Sequence, residues 1–419
     1  MIIGIDASRA NRDHKSGTEW YSYYVIKELA ALDDSNEYIL YTDKPLKDGL
    51  LNLGERAADC HNSNFKIDAT GHQELTSPHG NFRGKVLKWP FKFFWTQGRL
   101  SLEMLAKPPD VLFVPAHALP LIHPKKSVVT IHDIGFKQEE QLYSRELIGY
   151  QSRWLNLLIR LFTRGKYRAS GLDYLDWSTG FALRHSQKII TISNFSKEEL
   201  LKFYRAEAAK IKVVYNGYPD WLFKPLTDSQ KINRVLAKYG IERPFIFYVG
   251  RLDKKKNIAR LVEAYVLAKH QRNFPHKLYL IGDASFGYDE VKYLINEFNA
   301  EGEVVPTGWI DEADLPAIFS GGEVFVLPSK YEGFGLPLLQ AMACGKPIVA
   351  SRAASIPEIT ADAAILFDPD DVYDMADKLG QVVTDKELRQ KLIARGLDRV
   401  KDFSWHRSAE ATLKVLTDW

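Results

Sequence analysis

Apolar runs of four to six residues recur along the first half of the chain: Ile2–Ile5, Tyr38–Tyr41, Val111–Val114, Val128–Ile131, Ile189–Ile192 and Val213–Tyr215. Longer stretches with helical patterning separate them. A second series follows at Phe245–Val249, Leu278–Ile281, Val304–Val305, Val324–Leu327, Ile348–Ala350 and Ala364–Phe367. Short buried strands alternating with helices predict β-α-β units and a mostly parallel sheet. Two such series predict an α/β protein of two doubly wound, Rossmann-like domains. The join falls near Asn216-Gly217-Tyr218-Pro219, where turn residues follow a strand. The expected boundaries are residues 1–216 and 217–403, with a last helix over 404–419. Ligands of open α/β sheets sit beyond the carboxyl ends of the strands. Two such domains face to face predict a site in the cleft between them.

Composition narrows the class. At 419 residues, 45% hydrophobic and 26% charged, the chain has the makeup of a soluble two-domain protein. A net charge of +3 is too small to argue for nucleic acid. The two cysteines, Cys60 and Cys344, are too few and too far apart for a disulfide framework or a zinc site. They fit a reducing compartment. The start of the chain reads as a strand followed by polar residues, unlike a signal peptide. No run approaches the roughly 18 apolar residues of a membrane span. A cytoplasmic protein is expected.

Leu327 to Ser351 carries the densest chemistry. A buried strand ends in a Pro/Ser turn, then Glu332-Gly333-Phe334-Gly335-Leu336-Pro337, then an apolar helix from Leu338 to Ala343 that Gly345 ends. Two glycines at a strand-to-helix junction let a ligand approach the backbone. The N–H groups of the first helical turn, with the helix dipole, favour an anion such as a diphosphate. Glu332 stands where a carboxylate can accept sugar hydroxyls, and Gln340 lies eight residues on. The plainer alternative is that the glycines only permit close helix–strand packing.

A second cationic cluster follows the strand Phe245–Val249, as Gly250-Arg251-Leu252-Asp253-Lys254-Lys255-Lys256-Asn257, with a helix starting near Ile258. Four cations within six residues suit a dianion, although a solvated basic loop reads the same way. In the first domain, Val128–Ile131 ends in His132-Asp133, which puts His132 at a strand's carboxyl end. A lone histidine there is more often structural than catalytic. Ser196 is a candidate cap for a helix beginning near Lys197, with Glu199 completing a capping box.

The stretch from Pro328 to Gly345 resembles the signature of family-4 glycosyltransferases, retaining enzymes of the GT-B fold. The resemblance extends to Gly17, His132, Ser196, Arg251 and Trp405, and fits residues 45–105 and 143–180 poorly. It implies that the second domain binds a nucleotide-sugar donor and the first an acceptor. It gives the donor diphosphate to Arg251, Lys256, Gly333, Phe334, Gly335, Leu336 and Gly17. It gives the transferred sugar to His132 and Glu332 as catalytic residues, and the nucleoside to Gln340 and the backbone at Ile310. Lys254 and Lys255 are left facing solvent. The one departure is Gln340, which stands where the family carries a second glutamate. The amide loses the charge-assisted part of a ribose contact, about half its strength. In this fold the last helix crosses back to the first domain.

The function implied is metal-independent transfer of a hexose, with mannose preferred, from a GDP- or UDP-linked donor to a glycan or lipid-linked acceptor. No cofactor is implied and no nucleic acid partner. Two stretches, 82–99 and 143–168, interleave basic residues with large aromatic or apolar ones. Each reads as an element touching an anionic membrane or the acceptor, or as ordinary packing with a solvated charged face. Two other functions stay open: a non-catalytic sugar-nucleotide binder, because of Gln340, and another enzyme of the same fold, such as an epimerase or a glycan phosphorylase.

Overall fold

The computed structural model describes residues 1–55, 67–68, 70–90, 94–143 and 170–419. They gather into two compact units. The first comprises Met1–Lys137, the described part of Arg145–Asn216, and Trp405–Trp419; the second comprises Gly217–Ser404 and the described part of Gln138–Ser144.

The first unit holds an eight-stranded sheet: β1 (Ile2–Asp6), β2 (Glu37–Thr42), β3 (His72–Gln73), β4 (Phe82–Val86), β5 (Val111–Val114), β6 (Ser127–Ile131), β7 (Lys188–Thr191) and β8 (Ile211–Val213). Their order is β3-β4-β2-β1-β5-β6-β7-β8, and only β3 runs antiparallel to its neighbour. The second unit holds a parallel sheet of six: β9 (Phe245–Val249), β10 (Lys277–Ile281), β11 (Val304–Gly308), β12 (Val324–Leu327), β13 (Ile348–Ser351) and β14 (Ala364–Phe367). Its order is β11-β10-β9-β12-β13-β14. The chain winds one way from β9 and then returns to wind the other way from β12. Every residue of β5, β6, β9, β12 and β13 is buried. Helices cover both faces of such sheets, which is why these strands read as unbroken apolar runs.

Elements with mixed polarity were harder to read in the sequence. Strand β4 lies inside the 82–99 stretch expected to meet a membrane or the acceptor. Its Lys85 is buried and paired with Glu103, so this cation belongs to the interior. Residues 91–93 of that stretch, and the helix expected over 143–168 apart from Tyr143, lie outside the described residues. The last strand of the first sheet is Ile211–Val213 rather than Val213–Tyr215, because Ile189 pairs with Ile211 and fixes the register. The helix after β11 begins at Leu315. Among the described residues no helix is long and apolar enough to cross a membrane.

Helix Trp405–Thr417 packs within the first unit against helix Gly17–Leu32. The buried Trp405 ring stacks on Tyr24 at 5.4 Å and meets Tyr21 at 6.1 Å. Trp405→Ala removes this anchor. It is expected to destabilise the first unit by about 3–5 kcal/mol, the usual cost of emptying a buried aromatic site. Urea unfolding followed by circular dichroism measures the loss; an unchanged transition would show that the helix is held elsewhere.

Candidate active site

The strand order of the second sheet reverses between β9 and β12, and at such a switch point the crevice beyond the strand ends is open to a ligand. A glycine follows β9 and β10, Gly250 and Gly282, and another, Gly308, ends β11. The Gly250 amide donates to Ile281, and the Gly282 amide to Gly308, both at 2.9 Å. A Cβ on Gly282 would stand 2.0 Å from the Gly250 carbonyl oxygen, so the strand ends can close together only without a side chain there.

Beyond β9 the chain makes one tight turn, Lys254–Lys256. Asp253 caps it, its carboxylate accepting the Lys256 amide at 3.1 Å. Asn257 takes the left-handed conformation, φ 59°, and helix Ile258–Arg272 follows. This geometry aims Lys256 inward, where its Nζ donates to Glu332 Oε1 at 2.6 Å. Ser329 donates to the same oxygen at 2.7 Å. Glu332 is 7% exposed. Burial alone pushes its carboxyl up, but the charges of Lys256 and Lys255 and the bonds from Lys256 and Ser329 outweigh that and hold it below the ordinary value. Oε2 takes no hydrogen bond from the described residues. Arg251 is exposed, and its guanidinium makes no ion pair or hydrogen bond among the described residues. Lys254 is exposed as expected, whereas Lys255 is half-buried with its Nζ 5.4 Å from the centre of the Tyr143 ring.

Helix Leu336–Ala343 starts at Gly335, which sits at φ 90°, and Pro337 lies in its first turn. Gly333 and Phe334 are buried, and Phe334 packs edge-on against Phe403 at 5.8 Å. Gln340 is half-buried, and its side chain has no hydrogen bond among the described residues. Ile310, past the end of β11, is buried. Arg251, Lys256, Glu332, Gly333, Phe334, Gly335, Leu336, Gln340 and Ile310 all belong to the second unit. Among the described residues, no group of three or more His, Cys, Asp or Glu could hold a metal ion.

Gly17 and His132 belong to the first unit. Gly17 is the first residue of its helix rather than part of the loop before it. His132 is buried just past β6. Its Nε2 lies 3.0 Å from the Pro115 carbonyl, which can only accept, so Nε2 carries the proton and Nδ1 of the neutral ring is an acceptor. Burial lowers its pKa, against the raising effect of the Pro115 bond and of Asp133 and Glu19. Tyr21 meets the ring edge-on at 4.7 Å. Ser196 is not the helix cap. Ser193 is, accepting the Ser196 amide at 3.1 Å, and helix Asn194–Tyr204 begins three residues earlier than expected. The Ser196 hydroxyl donates instead to the His132 carbonyl at 3.1 Å, which fixes the backbone carrying that ring.

Ser329 escaped the sequence reading. The available signal was a buried carboxylate one turn after a strand, which requires a nearby donor. The close approach of Gly250, Gly282 and Gly308 was also missed, since it depends on which strands are neighbours.

Two sheets of this topology define the GT-B class of glycosyltransferase. The profile of "Glycosyl transferases group 1" matches residues 230–399, and that of "Glycosyltransferase Family 4" matches residues 16–220. The O-antigen chain mannosyltransferase B of Escherichia coli is 31% identical over 262 residues, covering 61% of this chain and 68% of that protein. The serotype-specific mannosyltransferase WbdA of Escherichia coli is 27% identical over 243 residues, covering 57% of this chain and only 28% of its own length. The Anabaena Alr3699/HepE structure in complex with UDP and glucose matches with a TM-score of 0.66 at 18% identity, covering 100% of this chain and 99% of that one. The chain belongs to the group 1 glycosyl transferases, with a family 4 glycosyltransferase first half.

The buried pair generates a pH-dependent prediction. Glu332's carboxyl is depressed in the folded state, so its stabilising effect is present above the ordinary value of 4.5 and is lost as pH falls through the depressed one. In Lys256→Met the main opposing charge is gone, burial dominates, and the carboxyl rises. The variant is expected to lose about 3–5 kcal/mol near neutral pH. The deficit should shrink toward about pH 4, where Glu332 is protonated in the variant. Urea titrations at both pH values measure it; a pH-independent deficit would mean that Glu332 is not the group responding.

Proposed function

We propose that this glycosyltransferase moves a hexose, mannose by preference, from a nucleoside-diphosphate sugar to a glycan or lipid-linked acceptor. In this reading the anomeric configuration is retained and no metal takes part. The observation that carries the reading is the Lys256–Glu332 pair, set beside Arg251 and the start of helix Leu336–Ala343 at the strand-order reversal of the second sheet.

Breaking the bond to the sugar leaves charge on the diphosphate. Arg251, Lys256 and the backbone from Gly333 to Leu336 offer cations and N–H groups to it, and such preorganised stabilisation is the largest effect expected for this step. The family resemblance adds Gly17 to this set. Glu332 keeps Lys256 in place through Oε1, which leaves Oε2 for a sugar hydroxyl. The Nδ1 acceptor of His132 suits a sugar hydroxyl. Gln340 takes the ribose and the backbone at Ile310 the base. In this reading the acceptor hydroxyl attacks from the face that the diphosphate leaves and passes its proton to the departing phosphate oxygen, which retains configuration; none of the described residues is assigned as a covalent nucleophile. Mannose is preferred because the Escherichia coli relatives are named mannosyltransferases. We place the reaction in the cytoplasm, at an anionic membrane face where the acceptor is lipid-linked.

Thermal shift with GDP and with UDP in EDTA tests the reading. GDP is expected to raise Tm in the absence of divalent metal, and Arg251→Ala to weaken its binding about tenfold or more, through loss of a charged hydrogen bond. No shift with either nucleotide would overturn the donor assignment. The side chain of Gln340 decides between an enzyme and an inactive binder. Gln340→Glu is expected to tighten GDP binding only several-fold, by restoring a charge-assisted bond, and to leave turnover within about tenfold of wild type. A wild type without turnover that Gln340→Glu restores would show that glutamine disables the native chain.

A further inference from the structure

The turn that carries Glu332 is held from outside by a segment that the donor reading does not use. Strands β12 and β13 are neighbours, with Leu327 paired to Ala350. The residues just past their ends, 328–332 and 351–355, come together there. Ser329, Ser351 and Ser355 among them have no exposed surface. A hydroxyl so buried needs a partner. Ser329 donates to the Glu332 carboxylate, and Ser351 donates to the Ser329 carbonyl. Ser355 donates to the Glu332 carbonyl, through its Oγ at 2.8 Å and through its amide at 3.3 Å.

Ser355 stands in the capping position of the short helix Ile356–Thr360, yet its hydroxyl makes no cap bond to that helix. Capping therefore does not account for it. Ala354, just before it, sits at φ 52°. A residue with a Cβ reaches this left-handed conformation only at a cost in free energy. The loop carries that strain and brings Ser355 against the Glu332 carbonyl.

Peptide planarity extends that contact to the donor site. The Glu332 carbonyl and the Gly333 amide belong to one rigid unit, and in a trans peptide they point in opposite directions. Two hydrogen bonds on the carbonyl thus fix where the Gly333 N–H aims. Gly333 opens the backbone run assigned above to the diphosphate. We propose that Ser355 is a positioning residue for this site: by clamping the Glu332 carbonyl, it aims the Gly333 N–H at the diphosphate of the donor. A donor group aimed in advance needs no rearrangement when the anion arrives. This rests on the donor reading above and adds to it a residue that acts through another.

Carbonyl-to-amide NMR on the full chain tests the role, with carbon-labelled glutamate and nitrogen-labelled glycine. The sequence holds two Glu-Gly steps, Glu301-Gly302 and Glu332-Gly333, so the spectrum holds two peaks. GDP or UDP should move the Gly333 peak of the wild type and leave that of Gly302 in place. In Ser355→Ala the Gly333 peak is expected to move before any nucleotide is added. Affinity for the nucleotide that binds the wild type, measured by calorimetry, should fall about three- to tenfold, the effect of one hydrogen bond. Ser355→Cys, a weaker donor of similar size, should fall between the two. Thr360→Val removes another buried hydroxyl bond from the same helix and is the comparator. It should destabilise the fold and keep wild-type affinity. Unchanged affinity in Ser355→Ala, or a loss that Thr360→Val matches, overturns the positioning role and leaves the donor reading standing. A wild type that responds to neither nucleotide sinks the donor reading, and this role with it.

Discussion

A parallel strand buried on both faces has little room for an unpaired polar side chain along its length, and both sheets of this protein follow that constraint. Strands β5 and β12 are apolar throughout and β9 carries a single tyrosine hydroxyl, bonded to the Arg251 carbonyl, while β6 admits Ser127 and Thr130 with hydrogen-bond partners. Polar chemistry is therefore pushed to where each strand ends. Asp6, His117 and His132 end up there in the first unit, and Arg251, Ser329 and Glu332 in the second. The winding order then selects which ends matter, because only at the reversal do helices on opposite faces part and leave a crevice.

Within that frame the Lys256–Glu332 pair is a positioning device more than a source of stability. Replacing a buried ion pair by apolar groups often costs nothing, whereas removing one partner costs several kcal/mol. Evolution of the pair is thus constrained in both members at once. Its value lies in keeping an ammonium aimed, through Asp253 on the backbone side and Ser329 on the carboxylate side, before any ligand arrives. Such preorganisation spares the reaction the cost of reorienting solvent.

The doubly wound architecture was legible because fully buried strands announce themselves as unbroken apolar runs. So was the strand-glycine-helix junction around Gly335, whose positive φ few other residues tolerate. What stayed hidden depended on partners distant in sequence. Lys85 looked like a surface cation until Glu103, eighteen residues on, took it inside. Ser196 satisfied a capping pattern, yet Ser193 won the cap and freed Ser196 for the His132 carbonyl sixty-four residues away. Motif and period thus revealed the strand-end residues of the second unit and His132 of the first, while the pairings that hold them emerged only from the fold.

The helix Trp405–Thr417 has a consequence for synthesis. The first unit's sheet is complete once residue 213 has left the ribosome, but Tyr21 and Tyr24 then lack the indole that covers them. Nearly two hundred further residues, including the whole second unit, must be translated before Trp405 arrives. At bacterial or eukaryotic elongation speeds of about 5–20 residues per second, that is a wait of tens of seconds at the slow end. For that interval an aromatic face on the earlier-made half stands uncovered, exposed to chaperones or to other nascent chains. The order of domains along the gene therefore makes the second half's translation time part of the first half's folding.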